Sequence, residues 1–311
     1  VFGATAEAAV CQGEQVPSND NPYYFATVSH VVRLTPNMQR VTLRGGDLTR
    51  FTSSGDPDER LLVAFPPEEA DRPPTPQPVG QGWEFPGPAR TELRSYTVRR
   101  WDAATHEMDI DFAVHDGGAA VRWALQARPG QVLGVTAASG WYEPSTGTAW
   151  QLLIADMTAL PAVGRIVEGL EPGVRVHVIA EVTTSADEQH LATAGDVSYT
   201  WLHGTGNGVG PSVLASTARR WLRPDGQGYV WFAGEAGVSR EVRRWVRHDL
   251  GWPTGRYDVI GYWRADKEAW TERYEQVRER IEAAQTAALA AGGDFDSVRD
   301  AVDAAMDQAG L

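Results

Sequence analysis

The chain has 311 residues, 42% hydrophobic and 22% charged, the make-up of a globular protein long enough for two hydrophobic cores. A net charge of −13 opposes general binding of nucleic acid or of an anionic membrane, so any anionic ligand needs a local basic pocket. The single cysteine, Cys11, excludes an internal disulfide, Cys-rich zinc sites and Cys-ligated iron–sulfur clusters.

No apolar run approaches the ~18 residues of a membrane span. The start holds Glu7 and no basic segment, unlike a secretory signal, so a cytoplasmic location is expected. Residues 1–22 are small and polar and read as a loose arm.

Residues 23–145 read as an antiparallel β-barrel of Greek-key type. Short β-rich runs at 25–34, 39–44, 60–65, 95–101, 107–114 and 132–137 are bounded by turn residues such as Gly45-Gly46-Asp47. Residues 66–88 form a Pro-rich loop, and one helix over 119–127 stops at Arg128-Pro129-Gly130. Residues 140–147 read as a linker.

From Trp150 the rhythm changes. Continuous apolar strands at 151–155, 175–181 and 228–233, with further strands at 198–202 and 257–262, alternate with helices at 158–170, 212–221 and 239–250. That alternation over 146–266 predicts a parallel-sheet α/β domain with ligands at the carboxyl ends of its strands. A long helix over 269–291 and a shorter one ending near Met306 make a C-terminal helical extension over 267–311. The stripe Tyr274, Val277 and Ile281 reads as core.

The barrel run Arg94-Ser95-Tyr96-Thr97-Val98-Arg99 carries chemistry. An aromatic ring to stack, a hydroxyl for a ring heteroatom and guanidinium groups for phosphate suit a flat, electron-poor ring with a phosphate tail. Taken alone, the same six residues also suit an ordinary strand with arginines at its rim.

Three further stretches join it. They are residues 109–115 leading into Gly117-Gly118-Ala119-Ala120-Val121-Arg122-Trp123-Ala124, then Ala155-Asp156-Met157-Thr158-Ala159-Leu160-Pro161-Ala162, and Phe232-Ala233-Gly234-Glu235-Ala236 with Gly261-Tyr262-Trp263-Arg264. In this order and spacing the chain, from about Phe25 to Lys267, resembles the siderophore-interacting protein family of FAD-dependent ferric-siderophore reductases.

The resemblance implies a flavin-binding barrel followed by a nucleotide-binding α/β domain, as in ferredoxin-reductase-like enzymes. It implies FAD as cofactor, NADH or NADPH as electron donor and a ferric siderophore as substrate. Tyr96 would stack on the isoalloxazine, with Thr97 bonding near its reactive nitrogen and Ser95 beside them. Arg94 or Arg99 would meet the pyrophosphate. Asp111, Phe112, Val114 and His115 would line the ribityl chain through the backbone. Gly118, Ala119, Ala120, Val121 and Trp123 would form the helix mouth at the diphosphate, where free N–H groups and the dipole favour an anion. Asp156, Thr158 and Ala159 would sit near the adenosine half or the domain seam.

Three departures stand out. Val121 and Met157 replace a hydroxyl residue and a glutamate common in the family, and Leu62 stands where relatives often carry a substrate-binding lysine. Arg264 and Lys267, with Arg60 third, are the candidate contacts to an anionic chelate, and Arg264 and Lys267 equally suit a cap on the last strand.

The chemistry asks for no acid–base dyad, and no catalytic side chain is assigned. Reduction of Fe(III) to Fe(II) weakens its hold on hard oxygen ligands, and the redox work belongs to the cofactor. The histidines show no metal spacing, so no protein-bound metal is expected. Glu181, Asp187, Glu188 and Asp196 lie in a stretch without Lys or Arg, which favours NADH over NADPH. The run 204–210 looks like a phosphate loop, yet it lacks Gly-x-Gly-x-x-Gly spacing and also reads as a plain flexible loop. The rival readings are a flavin oxidoreductase serving ferredoxin or another acceptor, and a non-redox siderophore-binding protein. Monomer and homodimer are both compatible with the helical extension.

Overall fold

The computed structural model describes residues 22–311 apart from 69, 80, 81, 87–90, 92 and 116. The expected arm over 1–22, with Cys11, lies outside the described residues except for Pro22.

The first half is a seven-stranded antiparallel sheet in the order β6-β3-β9-β1-β2-β8-β7. Its strands are β1 (Tyr23–Thr35), β2 (Met38–Arg44), β3 (Arg60–Ala64), β6 (Leu93–Thr97), β7 (Arg100–Asp102), β8 (Glu107–Ala113) and β9 (Val132–Thr136). The run expected as one strand over 95–101 changes partner partway. Thr97 pairs with Arg60 of β3, the Val98 N–H donates to the Glu59 carbonyl at 2.9 Å, and the Arg99 N–H donates to the Asp109 carbonyl at 2.9 Å. One chain segment thereby joins β3 to β8 and rolls the sheet into a barrel, leaving fewer unpaired edges. Alternating inward residues fill it, among them Leu43, Val63, Ile110, Phe112 and Val135. Helix α1 (Ala119–Gln126) lays Ala120 and Ala124 on this core.

The Pro-rich stretch is not all loop. It holds a small hairpin, β4 (Gln77–Val79) with β5 (Gly82–Glu84), and Trp83 and Phe85 pack against Tyr23 at 5.7 and 6.0 Å. Burial of these rings gives the segment a reason to order that its proline content hides.

The second half is a five-stranded parallel sheet, β12-β11-β10-β13-β14, made of β10 (Trp150–Ala155), β11 (Arg175–Val182), β12 (Asp196–His203), β13 (Gly228–Glu235) and β14 (Tyr257–Trp263). Every residue of β10 is buried, as a central strand covered on both faces requires. Helix α2 (Leu160–Glu168) covers one face, while α3 (Leu214–Arg220) and α4 (Ala236–Arg244) cover the other. The order reverses at β10, so its carboxyl end with that of β13 is the switch point where ligands bind in such sheets.

The 140–147 connector is pinned, not slack. Asp58, 1% exposed, accepts from the Trp141 and Tyr142 N–H groups at 2.8 and 3.0 Å and from Trp231 Nε1 of β13 at 3.1 Å. The extension forms a helical hairpin, α5 (Lys267–Ala290) and α6 (Phe295–Gln308), whose core is Trp270, Ile281, Val302 and Met306, with Tyr274 and Val277 beside it. Arg243 and Arg247 on the α4 side clamp it through Asp296, Asp300 and Asp303. No helix among the described residues is long and apolar enough to cross a membrane.

Candidate cofactor and substrate site

The site forms where β6 of the barrel meets the carboxyl edge of the parallel sheet. Tyr96 is half-buried on Phe112, with ring centres 4.5 Å apart and planes inclined by 47°. Phe65 and Trp123 complete the aromatic bed, each within 6.2 Å of Phe112. Such a bed holds the Tyr96 ring in place as a platform. Ser95 and Arg94 are exposed on the same strand, opposite Leu62 and Val63. Arg94 Nη1 donates to the Leu93 carbonyl at 2.8 Å.

Thr97 is 4% exposed, and its Oγ1 is buried with no partner other than the Tyr262 hydroxyl. Trp123 Nε1 is unpartnered. Buried polar atoms are usually paired, so a ligand at this place would find a hydroxyl and an indole N–H with capacity to bond, the Thr97 hydroxyl lying next to that of Tyr262. A second feature points the same way. Gly117 and Gly118 hold φ of 96° and 77°, and a Cβ at either would meet nothing within 4 Å. The bend they make leaves open space before α1, whose first turn has no side-chain cap. Ala119, Ala120 and Val121 supply that turn, with Val121 buried. A planar ring by Tyr96 and Thr97, with its diphosphate at Gly117–Ala119, suits these groups; the residues present fit FAD.

Several expected contacts are placed differently. Arg99 is 7% exposed and turns away from the helix mouth to fork onto Glu168 of α2, at 2.7 and 2.6 Å. A guanidinium so paired is spent at the domain seam, which leaves Arg94 as the arginine of the pair with an exposed side chain. Asp111 is gripped by Arg40 at 2.6 and 2.8 Å. The Phe112 ring is fully buried, and the Val114 N–H donates to the Asn37 carbonyl at 2.9 Å, so that amide is occupied; His115 is exposed.

Asp156 closes β10 at the switch point. It is 2% exposed, accepting from Thr158 N and Oγ1 at 2.9 and 2.6 Å and from Trp263 Nε1 at 2.6 Å. Burial pushes its carboxyl up to about 6, against these donors, with Glu181 adding to the rise. Ala159 is fully buried and starts α2. Met157, in the place of a family glutamate, is buried, with Sδ accepting from Thr183 Oγ1 at 3.3 Å.

The candidate substrate cations are divided. Arg60 is 8% exposed, its guanidinium 3.9 Å from the Trp141 ring centre, so it does not stand free above the platform in place of the lysine missing at Leu62. Leu62 itself is exposed. Arg264 is half-buried with its guanidinium 4.0 Å over Trp270, and Lys267 is exposed at the start of α5.

The acidic stretch also divides. Glu181 is buried and takes Thr205 Oγ1 and the Val213 N–H at 3.0 and 2.6 Å. Asp187 is buried and staples the barrel through Thr35 and Asn37. Asp196 opens β12, at the edge opposite the ligand edge. Glu188 remains near the carboxyl end of β12, bonded to His203 Nε2 at 2.7 Å. The run 204–210 is held rather than loose, since Asn207 Oδ1 accepts from the Met157 N–H at 2.9 Å and its Nδ2 donates to the Glu181 carbonyl at 3.2 Å. Sequence reasoning passed over Glu168, Asp58 and Asn207 because each acts on a partner far away in the chain.

The chain is similar to several known proteins. Residues 27–141 match the siderophore-interacting FAD-binding domain and residues 148–266 match the siderophore-interacting protein model. An NADPH-dependent ferric-chelate reductase of Escherichia coli is 31% identical over 250 residues, 79% of this chain and 95% of that protein. The ferric vibriobactin reductase ViuB of Vibrio cholerae is 28% identical over 249 residues, 79% of this chain and 90% of that one. The crystal structure of a siderophore utilization protein from T. fusca superposes with a TM-score of 0.71 at 34% identity, covering 79% of this chain and 94% of that chain. The chain belongs to the siderophore-interacting protein family, with its FAD-binding domain placed ahead of the parallel-sheet domain.

Proposed function

We propose that the protein reduces siderophore-bound Fe(III), passing electrons from NAD(P)H through FAD so that Fe(II) leaves the chelate. The observation that carries this reading is the meeting of two sites at one seam. The barrel strand bearing Tyr96 and Thr97 abuts the switch point of the nucleotide-binding sheet, where Tyr262 lies beside Thr97 and Trp263 is held by Asp156. A nicotinamide at the carboxyl edge of β10 and β13 then faces a ring lying on Tyr96.

Bound FAD supplies the step from a two-electron donor to a one-electron acceptor. The chain's own part is positional. Tyr96 with its aromatic bed sets the ring plane, Thr97 offers a hydroxyl at the ring edge, and the Gly117–Gly118 bend admits the diphosphate to the mouth of α1. Arg94 sits on the strand that would carry the phosphate contact. Arg264 and Lys267, just past the end of β14, supply positive charge for an anionic chelate. The names of the E. coli and V. cholerae relatives support the acceptor class.

The donor is less constrained. Only Glu188 of the four carboxylates remains placed for a ribose diol, and the E. coli relative is named NADPH-dependent. A preference for NADH therefore rests on Glu188 and on the lack of Lys and Arg from 181 to 212. The reading fits a cytoplasmic enzyme, where both donors are at hand.

The test is anaerobic turnover of the flavin-loaded protein with ferric siderophore, a Fe(II)-trapping dye and either NADH or NADPH. Dye-bound Fe(II) accumulating in step with donor oxidation is expected. Donor oxidation without Fe(II) would assign another acceptor, and a protein that binds chelate without taking up flavin would be a carrier.

A further inference from the structure

Tyr262 on β14 carries a phenol that the function described so far does not use. Its hydroxyl is buried with no partner other than the Thr97 hydroxyl, although the residue as a whole is only partly buried. The hydroxyl beside it is Thr97 Oγ1, also buried, and the two hydroxyls have only each other for a partner. Leaving a buried hydroxyl unpaired costs about 1–3 kcal/mol. A single bond between the two hydroxyls, one from each domain, uses one proton and leaves the other without an acceptor.

The charged groups around the phenol are already committed. Asp58 takes two connector N–H groups and the Trp231 indole. Arg60 lies over Trp141, with its guanidinium 5.9 Å from the Tyr262 ring centre. Asp156 takes Thr158 and Trp263. Burial pushes the phenol well up, with Asp58 adding to the rise, so the group stays a neutral O–H able to donate or accept. A hydroxyl that can do either, next to a second of the same kind, matches a ring edge presenting a nitrogen next to a carbonyl oxygen. Thr97 directly follows Tyr96 on β6, so the pair of hydroxyls lies one residue along the strand from the ring platform.

We propose that Tyr262 is a cofactor-binding residue, whose hydroxyl joins that of Thr97 in holding the reactive edge of the isoalloxazine, one contact from each domain. This rests on the FAD reading above and adds to it a contact from the nucleotide-binding domain. FAD then binds both sides of the seam, so its uptake stabilises the docking of the two domains.

The test uses full-length apoprotein of wild type, Tyr262→Phe, Thr97→Val and the double variant. FAD is titrated by flavin fluorescence, the absorption bands of each complex are recorded, and unfolding midpoints are taken with and without FAD. Tyr262→Phe is expected to raise the FAD Kd about 3–10-fold, to shift the visible bands and to shrink the FAD-dependent gain in midpoint. The double variant is expected to lose less than the sum of the singles, as neighbouring groups on one ligand do. Wild-type Kd and bands in Tyr262→Phe would overturn the proposal. So would coupling seen only in the midpoint of the apoprotein, because the hydroxyls would then serve each other alone. Wild-type apoprotein that takes up no FAD would instead remove the FAD reading itself, and the proposal with it.

Discussion

Arg99 of the barrel and Glu168 of the parallel-sheet domain meet as a two-pronged pair, Nη1 to Oε2 at 2.7 Å and Nη2 to Oε1 at 2.6 Å. The arginine side chain is 8% exposed and the glutamate 39%, so the pair straddles the rim of the seam. Its geometry makes Arg99 a fastener between domains rather than a phosphate ligand. Glu168→Gln would leave a buried guanidinium with the Asp111 carboxylate, 3.9 Å from its Nε, as its neighbour of opposite charge. The expected loss is about 1–3 kcal/mol, kept below the figure for a fully buried pair because water screens the glutamate. Urea unfolding reads it, and the FAD Kd should stay at its wild-type value.

Thr97→Val separates fold from cofactor. The side chain keeps its shape and loses a buried hydroxyl whose only partner is that of Tyr262, so the apoprotein should stay within about 1 kcal/mol of wild type. FAD affinity should fall about 3–10-fold, the worth of one hydrogen bond. Calorimetry of apoprotein and a flavin titration check the two halves separately.

Asp187 ties the domains by a second route. Its carboxylate receives Thr35 Oγ1 at 2.7 Å and Asn37 N and Nδ2 at 2.9 Å each. Burial alone would raise its carboxyl, but the donors from Asn37, Thr35 and Thr184 outweigh burial and hold it below the ordinary 3.8. A lowered folded value means stability that is present above about pH 4 and lost as pH falls further. Asp187→Ala should cost about 2–4 kcal/mol at neutral pH and flatten that acid limb, as followed by unfolding midpoints against pH.

Asp156 titrates in the opposite sense. Burial raises its carboxyl from 3.8 to about 6, so the folded protein holds this proton more tightly than the unfolded chain does. Its contribution is full below about pH 4 and disappears as pH rises through about 6. Asp258, also raised to about 6 chiefly by burial, acts in the same window. Asp156→Asn should therefore reduce the fall in unfolding free energy between pH 4 and pH 7, by on the order of 2 kcal/mol, as read by urea unfolding at each pH. An unchanged slope would place the carboxyl nearer its ordinary value.

The parts of the fold written in local pattern were legible in the sequence. Alternation marked the barrel strands, and the unbroken apolar runs of β10, β11 and β13 marked a sheet covered on both sides. Tyr96, Thr97 and the Gly117–Gly118 bend stood out in the sequence as candidates because the chemistry proposed for them lies within a few neighbouring residues. What failed was partner choice over distance. Arg99 meets a carboxylate 69 residues away, and Asp187 meets Thr35 across 152. No local spacing encodes either pair, so a seam arginine read as a phosphate ligand and a seam aspartate read as part of a donor site. The β4–β5 hairpin was hidden for a different reason, since proline content argued for loop while Trp83 and Phe85 found Tyr23.

The most direct test of the account dispenses with the electron donor. FAD-loaded protein is photoreduced anaerobically and mixed with ferric siderophore in a stopped-flow cell, with flavin absorbance and a Fe(II)-trapping dye read together. Flavin reoxidation and Fe(II) appearing at one shared rate, saturating with chelate and with one Fe(II) for each electron held, is the predicted result. Flavin that stays reduced in the presence of the chelate until air is admitted would contradict it.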